Sequence, residues 1–188
     1  MRAMIHCGLV LIGVDEPATQ VTDAELDVLR RHAADARTIV ELGTFEGKTA
    51  VALAKESPGN VYSVDPFTPG RLGICYGRII ANVARRRART ENLQFLRGFS
   101  HDVAPRFDQA VDMLFIDANH SYEAVRRDWD DWTPKLRANG VVAMHDVRMA
   151  KNSPVRLGSM DFFEREVATN SDYEEVAAAD ALVVMRKR

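Results

Sequence analysis

The stretch TIVELGTFEGKTAVALAKESPGNVYSVD, residues 38–65, contains the pattern that decides the fold. It opens with the short apolar run TIVELG, which ends in glycine, and closes with the run VYSVD, which ends in an acid. Between the two runs, residues 49–55 are typical of a helix, and Pro58 and Gly59 mark a turn. Two strands joined through a helix predict a βαβ unit, in which the strands lie parallel.

The rest of the chain repeats this alternation. Thr22 and Glu25 have the spacing of a capping box, which predicts the start of a further helix that runs to about Ala36. Other helical patterns cover residues 78–89, 122–132 and 160–168, and strand-like runs cover residues 93–98, 111–117, 141–146, 173–178 and 181–187. The sequence therefore predicts an α/β fold with a mostly parallel sheet of seven strands, helices on both faces and a C-terminal antiparallel hairpin.

Length and composition favour an ordinary globular enzyme. The 188 residues predict a single domain, 1–188, with residues 1–21 as an N-terminal extension, and 46% of them are hydrophobic. The formal net charge of -2 predicts neither a nucleic-acid partner nor a membrane surface. Cys7 and Cys75 lack metal-ligand spacing, and the apolar run 7–14 is too short for a membrane span, so we expect a cytoplasmic protein.

Ionisable residues follow several of the predicted strands. In open α/β sheets, ligands bind outside the carboxyl ends of the strands. This rule selects five residues at or just after strand ends: Glu41, Asp65, Asp117, His145 and Asp146. We expect all five to meet at one edge of the sheet.

The glycine turn GTFEGKT, residues 43–49, allows three interpretations. It resembles a phosphate-binding P-loop, and the strand MLFID fits the Mg²⁺-binding strand of a kinase, but the loop is one residue too short. A dinucleotide fingerprint needs a second glycine where Phe45 stands. Glu41 and Glu46 would repel the phosphates in a P-loop, and Glu46 would face the anion in a dinucleotide site.

S-adenosylmethionine fits the turn better, because it carries an ammonium and a sulfonium and has no phosphate. Gly43 and Gly47 would let the backbone approach its methionine end. Glu41 could meet the ammonium. Asp65 is placed to accept both ribose hydroxyls.

The order of these motifs resembles that of class I S-adenosylmethionine-dependent methyltransferases with a Rossmann-like fold. The similarity is to the metal-dependent O-methyltransferases, both the catechol-type enzymes and the bacterial group that methylates sugars and macrolides. It is carried by VELGTFEGKTAVALA, SVDPF, GFSHDVAPRF, the long stretch from VDMLFIDANH to VVAMHD, and ALVVMRKR. It covers nearly the whole chain from about Asp23.

The resemblance implies a set of cofactor-binding residues. Glu41, Gly43 and Gly47 match the residues that contact the methionine part, and Asp65 matches the acid that binds ribose. The further cofactor-binding residues expected on this basis are Thr44, Thr49, Ser100, His101 and Asp117.

The resemblance also implies a divalent metal, Mg²⁺ or Mn²⁺, with Asp117 and Asp146 as ligands. At the third ligand the chain departs from both groups. Val147 stands where catechol-type enzymes carry Asn, and His145 stands where the sugar-methylating group carries Glu. We expect His145 to be the third ligand, which shifts the preference towards softer metals than Mg²⁺.

His120 occupies the place of the family's general base, so we expect it to be catalytic. The predicted activity is methyl transfer to a hydroxyl of a small molecule such as a sugar diol, a catechol or a natural product. A P-loop kinase, a hydroxylase-like member of the same superfamily and a non-catalytic cofactor-binding domain remain as alternatives. A homodimer is compatible with the sequence. Residues 66–77 form either a lid or an ordinary crossover loop.

Overall fold

The computed structural model describes residues 2–70 and 73–188. The helices are α1 (Arg2–Ile12), α2 (Asp23–Ala33), α3 (Lys48–Glu56), α4 (Tyr76–Ala88), α5 (Ser100–Val103), α6 (Tyr122–Trp132) and α7 (Gly158–Phe162). The strands are β1 (Thr38–Leu42), β2 (Asn60–Asp65), β3 (Leu93–Arg97), β4 (Val111–Ile116), β5 (Leu136–Met144), β6 (Tyr173–Ala179) and β7 (Leu182–Lys187).

All seven strands form one sheet, in the order β3-β2-β1-β4-β5-β7-β6. The first five strands pair in parallel, and β7 pairs antiparallel with both β5 and β6. The predicted α/β class, the seven strands and the C-terminal hairpin are confirmed. Because β1 lies between β2 and β4, the strand order reverses there, and such a switch point is where these folds bind ligands.

The pleat of β4 divides its side chains between two buried clusters, one on each face of the sheet. Leu114 and Ile116 pack into a cluster that includes Trp132 of α6. Met113 and Phe115 point the other way, into a cluster that contains residues of α2 and α3. Burial on both faces explains why the sequence of β4 is apolar almost throughout.

The capping box at the start of α2 is confirmed. The hydroxyl oxygen of Thr22 accepts a hydrogen bond from the backbone N–H of Glu25 at 3.2 Å, and Oε2 of Glu25 accepts one from the N–H of Thr22 at 2.8 Å. The helix ends at Ala33, three residues before the predicted end.

The structure adds one element that the sequence analysis did not assign and alters another. The extension 1–21 contains a helix, α1, whose Cys7 and Val10 are buried against Ile80 of α4. The helix predicted over residues 160–168 starts earlier, as α7, and changes to a π-helical turn over Phe163–Val167. In both cases contacts between distant elements stabilise a local structure that the sequence pattern leaves undetermined.

Backbone hydrogen bonds continue beyond the strand ends and hold the following loops against one another. The N–H of Gly43 donates to the carbonyl of Val64 at 2.9 Å, and the N–H of Asp117 donates to that of Leu42 at 2.9 Å. The N–H of His145 donates to the carbonyl of Ile116 at 3.1 Å. The loops after β1, β4 and β5 therefore leave the sheet at one shared edge.

Within the described ranges, none of the helices combines the length and the apolar character needed to cross a membrane. Neither Cys7 nor Cys75, both of which are described, forms a disulfide. The alternative of a lid or a crossover loop for residues 66–77 falls partly on Arg71 and Leu72, which lie outside the described residues.

Substitution of Leu114 by alanine tests the two-sided core. Leu114 is fully buried, so we expect Leu114→Ala to lower the free energy of unfolding by about 2–5 kcal/mol. Urea denaturation followed by circular dichroism measures this change. Val155→Ala, at a position that is 67% exposed, serves as the control and should have little effect. A loss below about 1 kcal/mol for Leu114→Ala would contradict the packing described.

Candidate active site

A cleft of about 880 Å³ opens at the carboxyl edge of the sheet, beside the switch point between β1 and β4. Its walls come from the glycine turn, the ends of β2 and β4, the start of α5 and one side of α6. Seven of the predicted cofactor-binding residues line it: Gly43, Thr44, Thr49, Asp65, Ser100, His101 and Asp117. His120 lines it as well. The volume is in the range of small-molecule sites in proteins.

The first glycine of the turn is required by a close approach between two loops. Gly43 has φ of 95°, and a Cβ atom there would lie 2.1 Å from the carbonyl oxygen of Asp117. Gly47 precedes α3 with φ of 78°, and its Cβ atom would lie 3.0 Å from that of Ala81. The glycines therefore let the glycine turn contact the loop after β4 and the helix α4.

Asp65 fixes the conformation of the glycine turn. Its Oδ2 accepts hydrogen bonds from the backbone N–H groups of Thr44 at 2.9 Å and Phe45 at 3.2 Å. Its Oδ1 accepts one from the N–H of Phe67 at 2.6 Å. A carboxylate has about four lone-pair sites, so Asp65 keeps capacity for a further donor in the cleft.

Glu41, which the sequence assigned to the cofactor's ammonium, is not among the described residues that line the cleft. Its side chain is buried, and it accepts a hydrogen bond from the hydroxyl of Ser63, which also bonds that of Thr44 at 2.6 Å. Burial raises the pKa of Glu41 to about 8, and the hydrogen bond from Ser63 only partly opposes this. Glu41 is therefore largely protonated at neutral pH.

The end of the cleft formed by α5 combines polar and aromatic groups. Phe99 stacks on His101 with a centroid distance of 5.5 Å and an interplanar angle of 9°. The hydroxyl of Ser100 donates to Oδ1 of Asp128, a buried residue of α6 whose pKa is raised by burial. Asp128 lines the cleft and was missed by the sequence analysis, because its place in α6 is indistinguishable from that of a surface acid.

Three residues with metal-ligand chemistry meet beside the cleft. One ligand atom from each of Asp117, His120 and Asp146 lies within 4.8 Å of the others. Nε2 of His120 is 3.5 Å from Oδ2 of Asp146. The sequence predicted both carboxylates as metal ligands and His120 as the base.

His145, the predicted third ligand, lies directly against both carboxylates. Its Nδ1 is 3.2 Å from Oδ1 of Asp117 and 3.4 Å from Oδ2 of Asp146. Neither contact has the alignment of a hydrogen bond, so this buried atom makes ion-pair contacts but no hydrogen bond within the described part of the chain. Burial alone would lower the pKa of His145, but the carboxylates of Asp117, Asp146 and Glu25 outweigh burial and raise it to about 12.

Ser159, at the start of α7, fixes the backbone of the loops that follow β4 and β5. Its hydroxyl donates to the carbonyl oxygen of Asp146 at 2.5 Å, and its N–H donates to that of His120 at 2.9 Å. Asp146 has a positive φ of 54°, which costs free energy for residues other than glycine and is tolerated best among them by Asn and Asp. One serine therefore connects the two loops that carry Asp146 and His120.

The fold and this edge together define a class I S-adenosylmethionine-dependent methyltransferase domain. A family profile described as "Methyltransferase domain" matches residues 40–147, which is more than half of the chain. The chain belongs to this methyltransferase domain family.

Two curated relatives share part of the sequence. Protein y4gI of Sinorhizobium fredii is 32% identical over 135 residues, which are 64% of this chain and 14% of that protein. Protein R132 of Acanthamoeba polyphaga mimivirus is 26% identical over 126 residues, which are 64% of this chain and 56% of that protein. The matched part is less than two thirds of the length of either relative.

Solved structures share the fold over the whole chain. A candidate caffeoyl-CoA O-methyltransferase of Staphylococcus aureus superposes with a TM-score of 0.72 at 16% identity, covering 100% of this chain and 93% of that one. The O-methyltransferase TomG of Streptomyces achromogenes, solved with S-adenosylmethionine, gives 0.69 at 19% identity and covers 100% and 90%. An O-methyltransferase of Bacillus cereus with bound S-adenosylhomocysteine gives 0.68 at 17% identity and covers 100% and 91%. At these identities the likeness shows the fold.

The buried carboxyl of Glu41 should make stability depend on pH. Its folded pKa of about 8 lies above the ordinary value of 4.5, so between these values the folded chain binds a proton that the unfolded chain has released. Stability therefore falls as pH rises through this window. In Glu41→Gln this loss should be absent. The free energy of unfolding, measured by urea denaturation, should therefore fall less between pH 5.5 and pH 8 than in the unmodified protein. We expect the two decreases to differ by at least about 1.4 kcal/mol.

The control for this prediction is Glu56→Gln, which removes one exposed carboxylate at the end of α3. Its stability should change with pH in parallel with that of the unmodified protein. If the free energy of unfolding of Glu41→Gln also changes with pH in parallel with that of the unmodified protein, Glu41 ionises in the folded protein as it does in the unfolded chain.

Proposed function

We propose that the protein is an S-adenosylmethionine-dependent O-methyltransferase that acts on a hydroxyl of a small molecule with the help of a divalent metal. The observation that carries this proposal is the position of Asp117. Its backbone touches the cofactor turn at Gly43, and its carboxylate belongs to the cluster with His120 and Asp146. A methyl donor bound at the glycine turn and a hydroxyl oriented by the metal would therefore both lie next to Asp117.

The cleft offers the groups that S-adenosylmethionine requires. Gly43 and Thr44 would contact the methionine part, and Asp65 has a free acceptor site for the ribose. Ser100 and His101 would contact the adenine, beside the buried Asp128. The buried Glu41 would act through Ser63 and Thr44, which separate it from the cleft.

The residues present also fit a divalent metal. Asp117 and Asp146 supply carboxylate oxygens, and Nδ1 of His145, which forms no hydrogen bond with any described residue, faces both. Carboxylates with one imidazole suit Mn²⁺ as well as Mg²⁺. When bound, the metal would orient the acceptor oxygens and lower the pKa of the hydroxyl that is methylated.

His120 is proposed as the base. It lines the cleft with a side chain that is 30% exposed, so it can reach an acceptor, and its Nε2 lies 3.5 Å from Asp146. The acceptor O–H would give its proton to His120 while the oxygen forms a bond to the methyl carbon and the sulfonium releases it. The cluster with Asp117 and Asp146 offers His120 a second role, as a metal ligand.

The family match supports methyl transfer over the kinase alternative. The volume of the cleft, about 880 Å³, supports a small-molecule acceptor, and the shared fold of enzymes described as O-methyltransferases supports methyl transfer to oxygen. Vicinal oxygens, as in a sugar diol or a catechol, could chelate the metal. A hydroxylase-like member of the superfamily would produce no methylated product with any of these acceptors.

Replacement of His120 separates its two possible roles. If His120 is the base, His120→Ala should lower turnover by a factor of roughly 10² or more, because proton removal loses its acceptor. Affinity for S-adenosylmethionine and for Mn²⁺, measured by calorimetry, should stay the same. His32→Ala, on α2, is the control. Unchanged turnover would exclude His120 as the base, and a loss of Mn²⁺ affinity would make it a ligand.

Metal removal tests the second half of the proposal. We expect EDTA to abolish methyl transfer from labelled S-adenosylmethionine to a panel of diols and catechols, because the acceptor loses its orienting ion. Addition of Mn²⁺ or Mg²⁺ should restore the activity. Full activity in EDTA would show that methyl transfer does not depend on a metal.

A further inference from the structure

Glu25 is a buried carboxylate for which the proposed function has no role. It is 0% exposed, although it belongs to the first turn of a helix whose other acids, Asp23 and Asp27, are exposed. A capping box needs one carboxylate oxygen, and surface glutamates supply it in most proteins. Burying a carboxylate is unfavourable unless it is paired and hydrogen-bonded, so the burial of Glu25 calls for a further partner.

That partner is His145, 120 residues away in the sequence. Oε2 of Glu25 accepts a hydrogen bond from Nε2 of His145 at 3.1 Å, and the same oxygen accepts the capping bond from the N–H of Thr22. Oε1 accepts bonds from the N–H of Ala181 at 2.9 Å and from the side chain of Asn152 at 3.1 Å. Groups from four separate segments of the chain therefore hold the carboxylate in one orientation.

The hydrogen bond from Nε2 of His145 to Glu25 fixes the direction in which the other ring nitrogen, Nδ1, points. With Nε2–H directed at Glu25, the ring is fixed, and Nδ1 faces Asp117 and Asp146 without a hydrogen-bond partner among the described residues. A metal-ligating histidine generally donates its second N–H to a carboxylate or carbonyl, which selects the tautomer and orients the ring. Glu25 and His145 have this arrangement.

We propose that Glu25 is the positioning residue of the metal site, because it fixes the ring of His145 so that Nδ1, once a divalent cation displaces its proton, faces that cation between Asp117 and Asp146. This inference rests on the proposed metal-assisted function and adds to it a residue that the resemblance did not imply. Glu25 is not among the described residues that line the cleft, so it acts through His145.

The main experiment measures metal affinity in place of activity. The variant is the purified protein with the substitution Glu25→Gln, which keeps the size of the side chain and an acceptor oxygen but removes the charge. Its Kd for Mn²⁺, measured by the electron paramagnetic resonance signal of the free ion, should rise by about 10–100-fold. The affinity for S-adenosylmethionine should be unchanged. Asp27→Asn, an isosteric change of an exposed acid on the same helix, should leave both affinities unchanged.

A double-mutant cycle distinguishes positioning from general loss of structure. If Glu25 acts through His145, then His145→Asn should weaken Mn²⁺ binding, and adding Glu25→Gln should cause little further loss. Additive losses would mean that Glu25 stabilises the fold independently of His145 and would overturn the inference. Tight Mn²⁺ binding by Glu25→Gln would overturn it as well.

A measurement on the unmodified protein remains informative if Glu25→Gln does not fold. In the Mg²⁺-loaded protein labelled with ¹⁵N-histidine, nuclear magnetic resonance should show the proton of His145 on Nε2 and none on Nδ1. A proton on Nδ1 would overturn the inference while leaving the proposed function intact. If the unmodified protein binds neither Mn²⁺ nor Mg²⁺, both the inference and the metal-assisted function fail.

Discussion

The close approach of Gly43 to the backbone of Asp117 is the constraint on which the site depends. The pairing of β1 with β4 brings the two loops together, and the missing side chain of Gly43 removes a clash at 2.1 Å. Because the two strands are parallel and adjacent, the glycine turn and the loop that begins with Asp117 leave the sheet side by side. The short distance between a bound methyl donor and an oriented hydroxyl would follow from this contact, since proximity is what such a reaction requires of the protein.

Two buried glutamates show how surroundings assign opposite states to the same side chain. Glu41 has a hydroxyl as its partner, and burial raises its pKa to about 8. Burial alone would also raise the pKa of Glu25, but its bonds from His145 and from backbone and amide N–H groups lower it to about 2. The neutral glutamate lies beneath the cofactor turn, whereas the charged one lies beside the histidine of the proposed metal site. The two carboxyl groups therefore differ in charge at neutral pH, and only the charged one is paired with an imidazole.

Much of the fold could be predicted, because apolar strands alternate with helical patterns and the sheet is covered on both faces. The edge that carries Asp65, Asp117, His145 and Asp146 followed from the strand ends alone. The helix α1 and the π-helical turn after α7 could not be predicted, since contacts with distant elements stabilise them. The capping-box pattern correctly predicted the hydrogen bond between Glu25 and the N–H of Thr22. It could not predict the hydrogen bond between Glu25 and His145.

The sequence by itself determined the order of the elements and the shared edge of the strand-end residues Asp65, Asp117, His145 and Asp146. These depend on hydrophobic period, on strand direction and on the chemistry of each residue type, all of which can be read locally. Only the tertiary structure decided that Glu41 is buried beside Ser63, that Asp128 reaches the cleft, and that Glu25 supports His145. These are contacts between residues 22 to 120 positions apart, and burial, pKa and hydrogen-bond partners arise only when such segments pack together.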